Sequence, residues 1–306
     1  MVLNRKKKII LAIIERMGNR VTAKCFQKYL FIFTRMQSEN RIYDFVPYKY
    51  GCFSFSANQD IINLERKGFI TVDRQPDEEC TYEVAPLAKA YALLDLFDKK
   101  NIDAIRDLYL KMTQDELIAY TYIRWPFTAV NSVIKQRLLN AQQLDKVEEQ
   151  RKRMIHTEPM LFTIGYEGFT LEAYLRRLMM MDVKVLVDVR KHAFSMKYGF
   201  SKHILQKACE GVGINYVHVP ELGIETADRK ELNTQADYDA LFERYEQTTL
   251  KYNWRGLLKV KQILEHNRRV CLTCFEKDPG QCHRSCVAKA LMALPERSYE
   301  FDNILL

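Results

Sequence analysis

Val270-Cys271-Leu272-Thr273-Cys274-Phe275-Glu276-Lys277-Asp278-Pro279-Gly280-Gln281-Cys282-His283-Arg284 is the stretch on which the reading of this chain turns. An apolar run, Val270 to Phe275, leads into the turn-forming Asp278-Pro279-Gly280 and then into an apolar-periodic segment, Ser285 to Leu294. That order predicts a strand, a tight loop and a helix. It sets a cysteine, a histidine and an arginine on the first turn of a helix, at the carboxyl end of a strand. In an open α/β sheet ligands bind in that crevice. A helix N-terminus also favours anions and lowers the pKa of a thiol.

Outward from this stretch the pattern repeats. Beyond Thr157-Glu158-Pro159 the sequence predicts strands at Met160 to Ile164, Lys184 to Val189 and Asn215 to Val219. Helices are predicted from Thr170 to Met181 and Ser201 to Glu210, and around 236–250 and 254–266. Thr170 is the N-cap of the first, with Glu172 in its opening turn. Strands alternating with helices imply a mostly parallel sheet covered by helices, a Rossmann-like α/β domain.

The first half reads differently. Lys6 to Met17, Val21 to Met36 and Ser54 to Lys67 carry helical periodicity. Gly68 to Asp73 and Thr81 to Val84 then flank a turn at 75–79. Helices followed by a β-hairpin make an α+β, winged-helix-like pattern. Further helices are expected from Pro86 to Lys99 and Ile102 to Tyr122, before Arg124-Trp125-Pro126 breaks the pattern. The expected organisation is a winged-helix-like binding domain over 1–125, a polar helical linker over 126–158 and the α/β domain over 159–306.

With 306 residues the chain can form two cored domains, and 47% hydrophobic and 28% charged residues are globular proportions. No apolar run approaches the roughly 18–20 residues of a membrane span. A basic start, Arg5 to Lys8, precedes Ile9 to Ile14, but Glu15-Arg16 ends the apolar stretch too early for a signal peptide. The expected location is the cytoplasm. Eight cysteines, four of them within 271–286, do not make a disulfide scaffold in a chain of this length. The net charge of +8 is compatible with a polyanionic partner.

Polar residues suited to chemistry gather at four predicted strand ends: Tyr166 and Glu167; Asp188 and Arg190; His218 and Glu221; and Cys274, Glu276, Cys282, His283 and Arg284. Parallel strands bring such ends to one edge. In an enzyme, Cys282 is the candidate nucleophile, its thiolate favoured by the helix terminus and by His283 and Arg284. Glu167 and Glu276 are candidate general acids or bases, with Asp188 a further catalytic carboxylate. Arg190 and Arg284 are candidate anion clamps, and Tyr166, His283 and Glu221 candidate substrate contacts. Plainer readings stand beside these. Asp188 and Arg190 can form a structural ion pair, Tyr166 can be core packing, and His218, between Val217 and Val219, suits a strand residue with a local partner.

Cys271 and Cys274, three apart on a strand, point to opposite faces and do not share a metal. A set of Cys274, Cys282 and Cys286 survives that test, although Cys271 and Cys286 read more readily as buried hydrophobes. No metal and no cofactor are assigned.

The motifs Thr163-Ile-Gly-Tyr-Glu-Gly168, Val187-Asp-Val-Arg190, the run from Gly213 to Gly223, and Cys274-x-Glu276 with Cys282-His-Arg284 together resemble the domain-of-unknown-function 488 family over about residues 160–295. One departure is Ala193, where that family often has a proline. The resemblance implies an α/β domain with a shared polar pocket and supplies no reaction. The first half more weakly resembles YwgA-like, phage-associated or antitoxin-like domains through Phe26 to Phe31 and Tyr43 to Phe55. That resemblance implies DNA binding or contact with a protein partner. The aromatics Tyr43, Phe45, Tyr48, Tyr50, Phe53 and Phe55, with Lys49, could stack on bases or fill a small core.

Three functions follow as expectations. The first is an enzyme acting on nucleic acid or a nucleotide-related anion. The second is a DNA-binding regulator whose α/β domain senses a ligand or redox state. The third is an antitoxin-like or defence-associated interaction protein.

Overall fold

Asn4, Thr22 and Ser54 each turn a side-chain oxygen back onto a backbone N–H and so start helices α1 (Arg5–Arg16), α2 (Ala23–Met36) and α3 (Phe55–Arg66). These belong to a computed structural model that describes residues 3–37, 41–75, 79–85, 89–225, 232–295 and 299–303. It divides into two units, Met1–Arg153 and Met154–Leu306.

In the first unit β1 (Arg20–Thr22) precedes α2, and the hairpin β2 (Val46–Tyr48) and β3 (Gly51–Phe53) lies between α2 and α3. Strands β4 (Ile70–Asp73) and β5 (Thr81–Val84) follow, close to the predicted hairpin. The middle of its turn lies outside the described residues. The antiparallel sheet runs β1-β5-β4. Strands β1 to β3 are absent from the sequence reading because three residues are too few to display a period of two.

The expected helix from Pro86 to Lys99 is corrected. Residues 86–88 lie outside the described residues, a 3₁₀ turn spans Tyr91–Leu93, and Leu94 is extended. Asp95 then caps the N–H of Asp98 at 2.8 Å and starts α4 (Leu96–Tyr109). The single helix expected to Tyr122 is also broken. Thr113 and Glu116 form a reciprocal capping box that begins α5 (Gln114–Arg124).

Residues 126–153, expected as a linker, are folded into the first unit. They contain α6 (Lys135–Leu138) and α7 (Ala141–Lys152). Val133 N–H donates to Lys49 O at 2.9 Å, Asn131 Nδ2 donates to Pro47 O at 3.2 Å, and the Tyr122 and Ser132 hydroxyls bond at 2.7 Å. The polar composition of α7 describes its exposed face, while Val147 is buried. Of the aromatic run, Tyr43 and Phe45 join the core built on Ile9 to Ile14, Phe26, Leu30 and Phe33. Tyr48, Phe53 and Phe55 pack on one another, and Tyr50 remains exposed under Lys24 Nζ.

The second unit has the predicted alternation: β6 (Met160–Gly165), α8 (Leu171–Met180), β7 (Val185–Asp188), α9 (Lys202–Glu210), β8 (Asn215–His218), α10 (Gln235–Tyr245), α11 (Trp254–Asn267), β9 (Arg269–Cys274) and α12 (Arg284–Ala293). A last strand, β10 (Glu300–Asn303), is not anticipated from sequence. The five strands form a parallel sheet in the order β10-β6-β9-β7-β8. The helices cover it and bury Val185, Val187, Val270 and Leu272 from the strands against Val260, Val287 and Leu291. Among the described residues no helix is long and apolar enough to cross a membrane.

Candidate active site

The register of the parallel sheet sets the site. Gly165 pairs with Cys274, and Asp188 pairs with Thr273 on one side and His218 on the other. The polar residues at these strand ends therefore stand in one row, although they are far apart in the chain.

The loop after β9 lies directly on the end of β6. A Cβ added at Gly165 would sit 1.7 Å from Glu276 O, so only glycine admits the loop. Glu167 N–H donates to Phe275 O at 2.9 Å, and Lys277 N–H donates to Glu167 Oε2 at 2.9 Å. From below, Arg284 donates to Glu276 O at 2.6 Å and to Lys277 O at 3.0 Å. Glu167 and Arg284, expected as acid/base and anion clamp, are thus both turned onto backbone of this loop. Arg284 is fully buried and its Nε has no protein partner.

Asp188 and Arg190 form the buried ion pair that sequence allowed. Arg190 donates from its backbone N–H and from Nε to Asp188 Oδ1 at 3.1 and 2.8 Å, and from a terminal nitrogen to Oδ2 at 2.5 Å. Tyr216 donates to Oδ2 at 2.6 Å. The other terminal nitrogen of Arg190 reaches the Tyr166 hydroxyl at 2.9 Å, and the Tyr166 ring stacks on Phe200. Burial opposes the charge of Arg190, yet the hydrogen bonds and charge of Asp188, with Tyr166, hold its pKa above the ordinary value. Burial and then Asp188 push the Tyr216 hydroxyl well up. His218 has the local partner expected of it, Arg190 O at 2.8 Å.

The second cluster lies at the end of β9. Cys274 Sγ is 3.3 Å from Glu276 Oε2 and 3.6 Å from His283 Nδ1. His283 Nε2 is 2.9 Å from Val189 O, and a carbonyl only accepts, so Nε2 carries the proton and Nδ1 presents a lone pair to the sulfur. Cys282 joins them: its Sγ, the Cys274 Sγ and a His283 nitrogen all lie within 4.8 Å of one another. The Tyr245 ring stands edge-on to the imidazole at 5.7 Å. Cys274, Cys282 and His283 are all buried.

Two expectations change here. Cys282 does not open a helix, because α12 begins at Arg284 with His283 as its N-cap. Burial, then its neighbour Cys274, pushes the Cys282 thiol well above its ordinary pKa, where a helix terminus was expected to lower it. Cys286 does not join the sulfur pair; it packs in the core, as Cys271 is buried within β9. Glu221 sits in a 3₁₀ turn (Pro220–Leu222) against Gly256 and lines neither cavity described next.

A cavity of about 340 Å³ opens on this edge, lined by Tyr166, Arg190, Lys191, His192, Met196 and Cys274, among others. Phe194 and Met196 stand 70% and 91% exposed at its mouth. Lys197, whose pKa burial lowers, donates to Tyr166 O at 3.1 Å. A neighbouring cavity of about 380 Å³ is bordered by Ile224, Tyr238, Glu276 and Gln281. The pairing of Cys274 with His283 and the place of Tyr216 were missed from sequence. Tyr216, two residues before His218 on a strand, shares its face, and that period was the available signal. Nothing in the one-dimensional pattern distinguishes Cys274 from Cys282.

No curated protein matches the chain. Residues 170–291 match the family model described as Domain of unknown function DUF488, within the span where the motifs resemble that family, and the second unit therefore carries a DUF488 domain.

Proposed function

We propose that the second unit is an enzyme acting on a small, anionic, nucleotide-related substrate held in the 340 Å³ cavity. One observation carries this reading: the cavity is bounded both by cationic side chains and by Cys274, the sulfur in contact with His283 and Glu276. Its volume falls in the range of about 300–1,000 Å³ common for small-molecule sites. Lys191 supplies positive charge and a donor for a phosphate or carboxylate, and Phe194 and Met196 offer apolar contact to a ring. The Glu276 carboxylate, beside the sulfur, is the group placed to move a proton. Arg284 and Glu167 act as positioning residues, because they hold the loop that carries Glu276.

The test is calorimetric titration of the full chain with nucleoside mono- and diphosphates, followed by product analysis. Binding that weakens about tenfold or more in Lys191→Ala, with turnover lost in Cys274→Ala, supports the reading. It fails if no phosphate-bearing compound binds and Cys274→Ala leaves every measured conversion unchanged.

A second reading concerns the first unit. Its order of α1, β1, α2, α3, β4 and β5, with the β2-β3 hairpin inserted between α2 and α3, and the sheet β1-β5-β4 favour a winged helix. In that reading α3 presents Gln59, Ile62, Asn63 and Arg66 to a DNA groove. Duplex binding that falls steeply with salt and weakens in Arg66→Ala would support it. Absence of duplex binding at low salt would end it.

A further inference from the structure

We infer that Cys274, Cys282 and His283 form a metal centre for zinc, with its fourth position left to a water or a substrate oxygen. The inference deepens the enzyme reading, since it names what the buried sulfur cluster holds, and it rests on that reading only for its catalytic meaning.

Distance carries the first part. Tetrahedral zinc with Zn–S of about 2.3 Å and Zn–N of about 2.0–2.1 Å sets sulfur and nitrogen ligands about 3.6 Å apart. Cys274 Sγ and His283 Nδ1 stand 3.6 Å apart, and Cys282 Sγ completes a triangle no side of which exceeds 4.8 Å. Glu276 Oε2 lies 3.3 Å from Cys274 Sγ, beside this triangle and not within it.

The imidazole is prepared as a ligand. Its Nε2–H is spent on Val189 O, which fixes the tautomer and aims the Nδ1 lone pair into the triangle. A backbone carbonyl behind a histidine is the usual outer partner of a metal-bound imidazole. Tyr245 restrains the ring from the side.

Electrostatics carries the rest. Two thiols and an imidazole nitrogen share one buried space, with the Glu276 carboxylate beside it. Arg284 turns its two terminal nitrogens onto Glu276 O and Lys277 O. A divalent ion would release both thiol protons and pair with two thiolates. The donor set selects the ion. Sulfur with imidazole suits zinc, whereas magnesium and calcium require oxygen ligands. The loop is built to keep this set together, with Gly165 admitting it, Glu167 holding Lys277 N–H, and Arg284 holding two of its carbonyls. Cys274 borders one cavity and Glu276 the other, so the fourth position can be reached by a water or a substrate oxygen.

The experiment uses the full chain. Metal content is measured on protein purified from zinc-supplemented medium, and metal-stripped, reduced protein is titrated with Co²⁺. The expected result is one zinc per chain, and thiolate-to-cobalt charge-transfer bands with intense tetrahedral d–d bands, abolished by competing Zn²⁺. Cys282→Ser should lose at least about tenfold in metal affinity, and Cys286→Ser should keep the spectrum. Wild-type protein that carries no zinc and gives no cobalt spectrum overturns the proposal, however the variants fold. So does a spectrum unchanged in Cys282→Ser. A metal-free protein that still binds and converts an anion defeats the metal centre alone. A zinc protein that converts nothing defeats the enzyme reading alone.

Discussion

Asp188 and Cys274 end neighbouring strands of one sheet and are equally buried, but their surroundings differ in kind. Around Asp188 every strong group has a complement: Arg190 gives it three hydrogen bonds and Tyr216 a fourth. Around Cys274 stand another thiol, an imidazole lone pair and a carboxylate, which compete for the same few protons. The first cluster is complete within the protein and acts as scaffold. The second gathers two thiols and an imidazole nitrogen in one buried space, a donor set suited to a metal ion.

The strongest way to break this comparison is to unbalance the complete cluster. Arg190→Ala leaves Asp188 buried without its cation and should cost about 3–5 kcal/mol, read by denaturant unfolding. Adding Asp188→Asn should recover part of that loss. If Arg190→Ala costs less than about 1 kcal/mol, the pair is not the scaffold described.

Gly165→Ala comes next. Its methyl group would meet Glu276 O, and displacing the loop should cost about 1–3 kcal/mol while disturbing the Cys274 cluster. Unaltered stability together with an unaltered Co²⁺ spectrum would mean that the loop does not rest on β6.

The thiol cluster has a pH signature. The Cys282 pKa is raised in the fold by burial and by Cys274, so the folded protein keeps a proton that the unfolded chain releases. The stabilisation is therefore complete below the unfolded thiol pKa of about 8.5 and is lost as pH rises above it. In metal-free protein each such thiol should contribute a fall of about 1.4 kcal/mol per pH unit above that point, and Cys282→Ala should remove one such contribution. Equal slopes for the two proteins would contradict the assigned environment.

The smallest effect is expected for Glu167→Gln. It weakens one exposed hydrogen bond to Lys277 N–H and should cost no more than about 1 kcal/mol, while raising amide exchange at Lys277. A loss of all turnover without any change at Lys277 would instead return Glu167 to an acid/base role.

How far the sequence carried depended on the length of each signal. The strands of the second unit were legible because a parallel strand buried on both faces is a continuous apolar run, as in Val185-Leu186-Val187. The three-residue strands β1 to β3 offered no period to read. Thr113 and Glu116 had the spacing of a capping box, but the apolar residues on both sides of them hid the break between α4 and α5. At the candidate site, the segments that the sheet brings together were legible, and the side-chain contacts within them were not. Cys282 looked activated because its helix was placed two residues too early, and Arg284 looked free because backbone acceptors leave no trace in a sequence.

Sequence alone determined that the second unit is an α/β sheet with polar residues at its strand ends, because periodicity and turn residues act over a few neighbours. It also determined which residue types reach that edge. Only the tertiary structure decided that Asp188 is neutralised by Arg190, that Glu167 and Arg284 serve a loop, and that Cys274 meets Cys282 and His283. Those outcomes depend on strand register and on the path of one loop over Gly165, where displacements of an ångström decide which partner a polar atom finds.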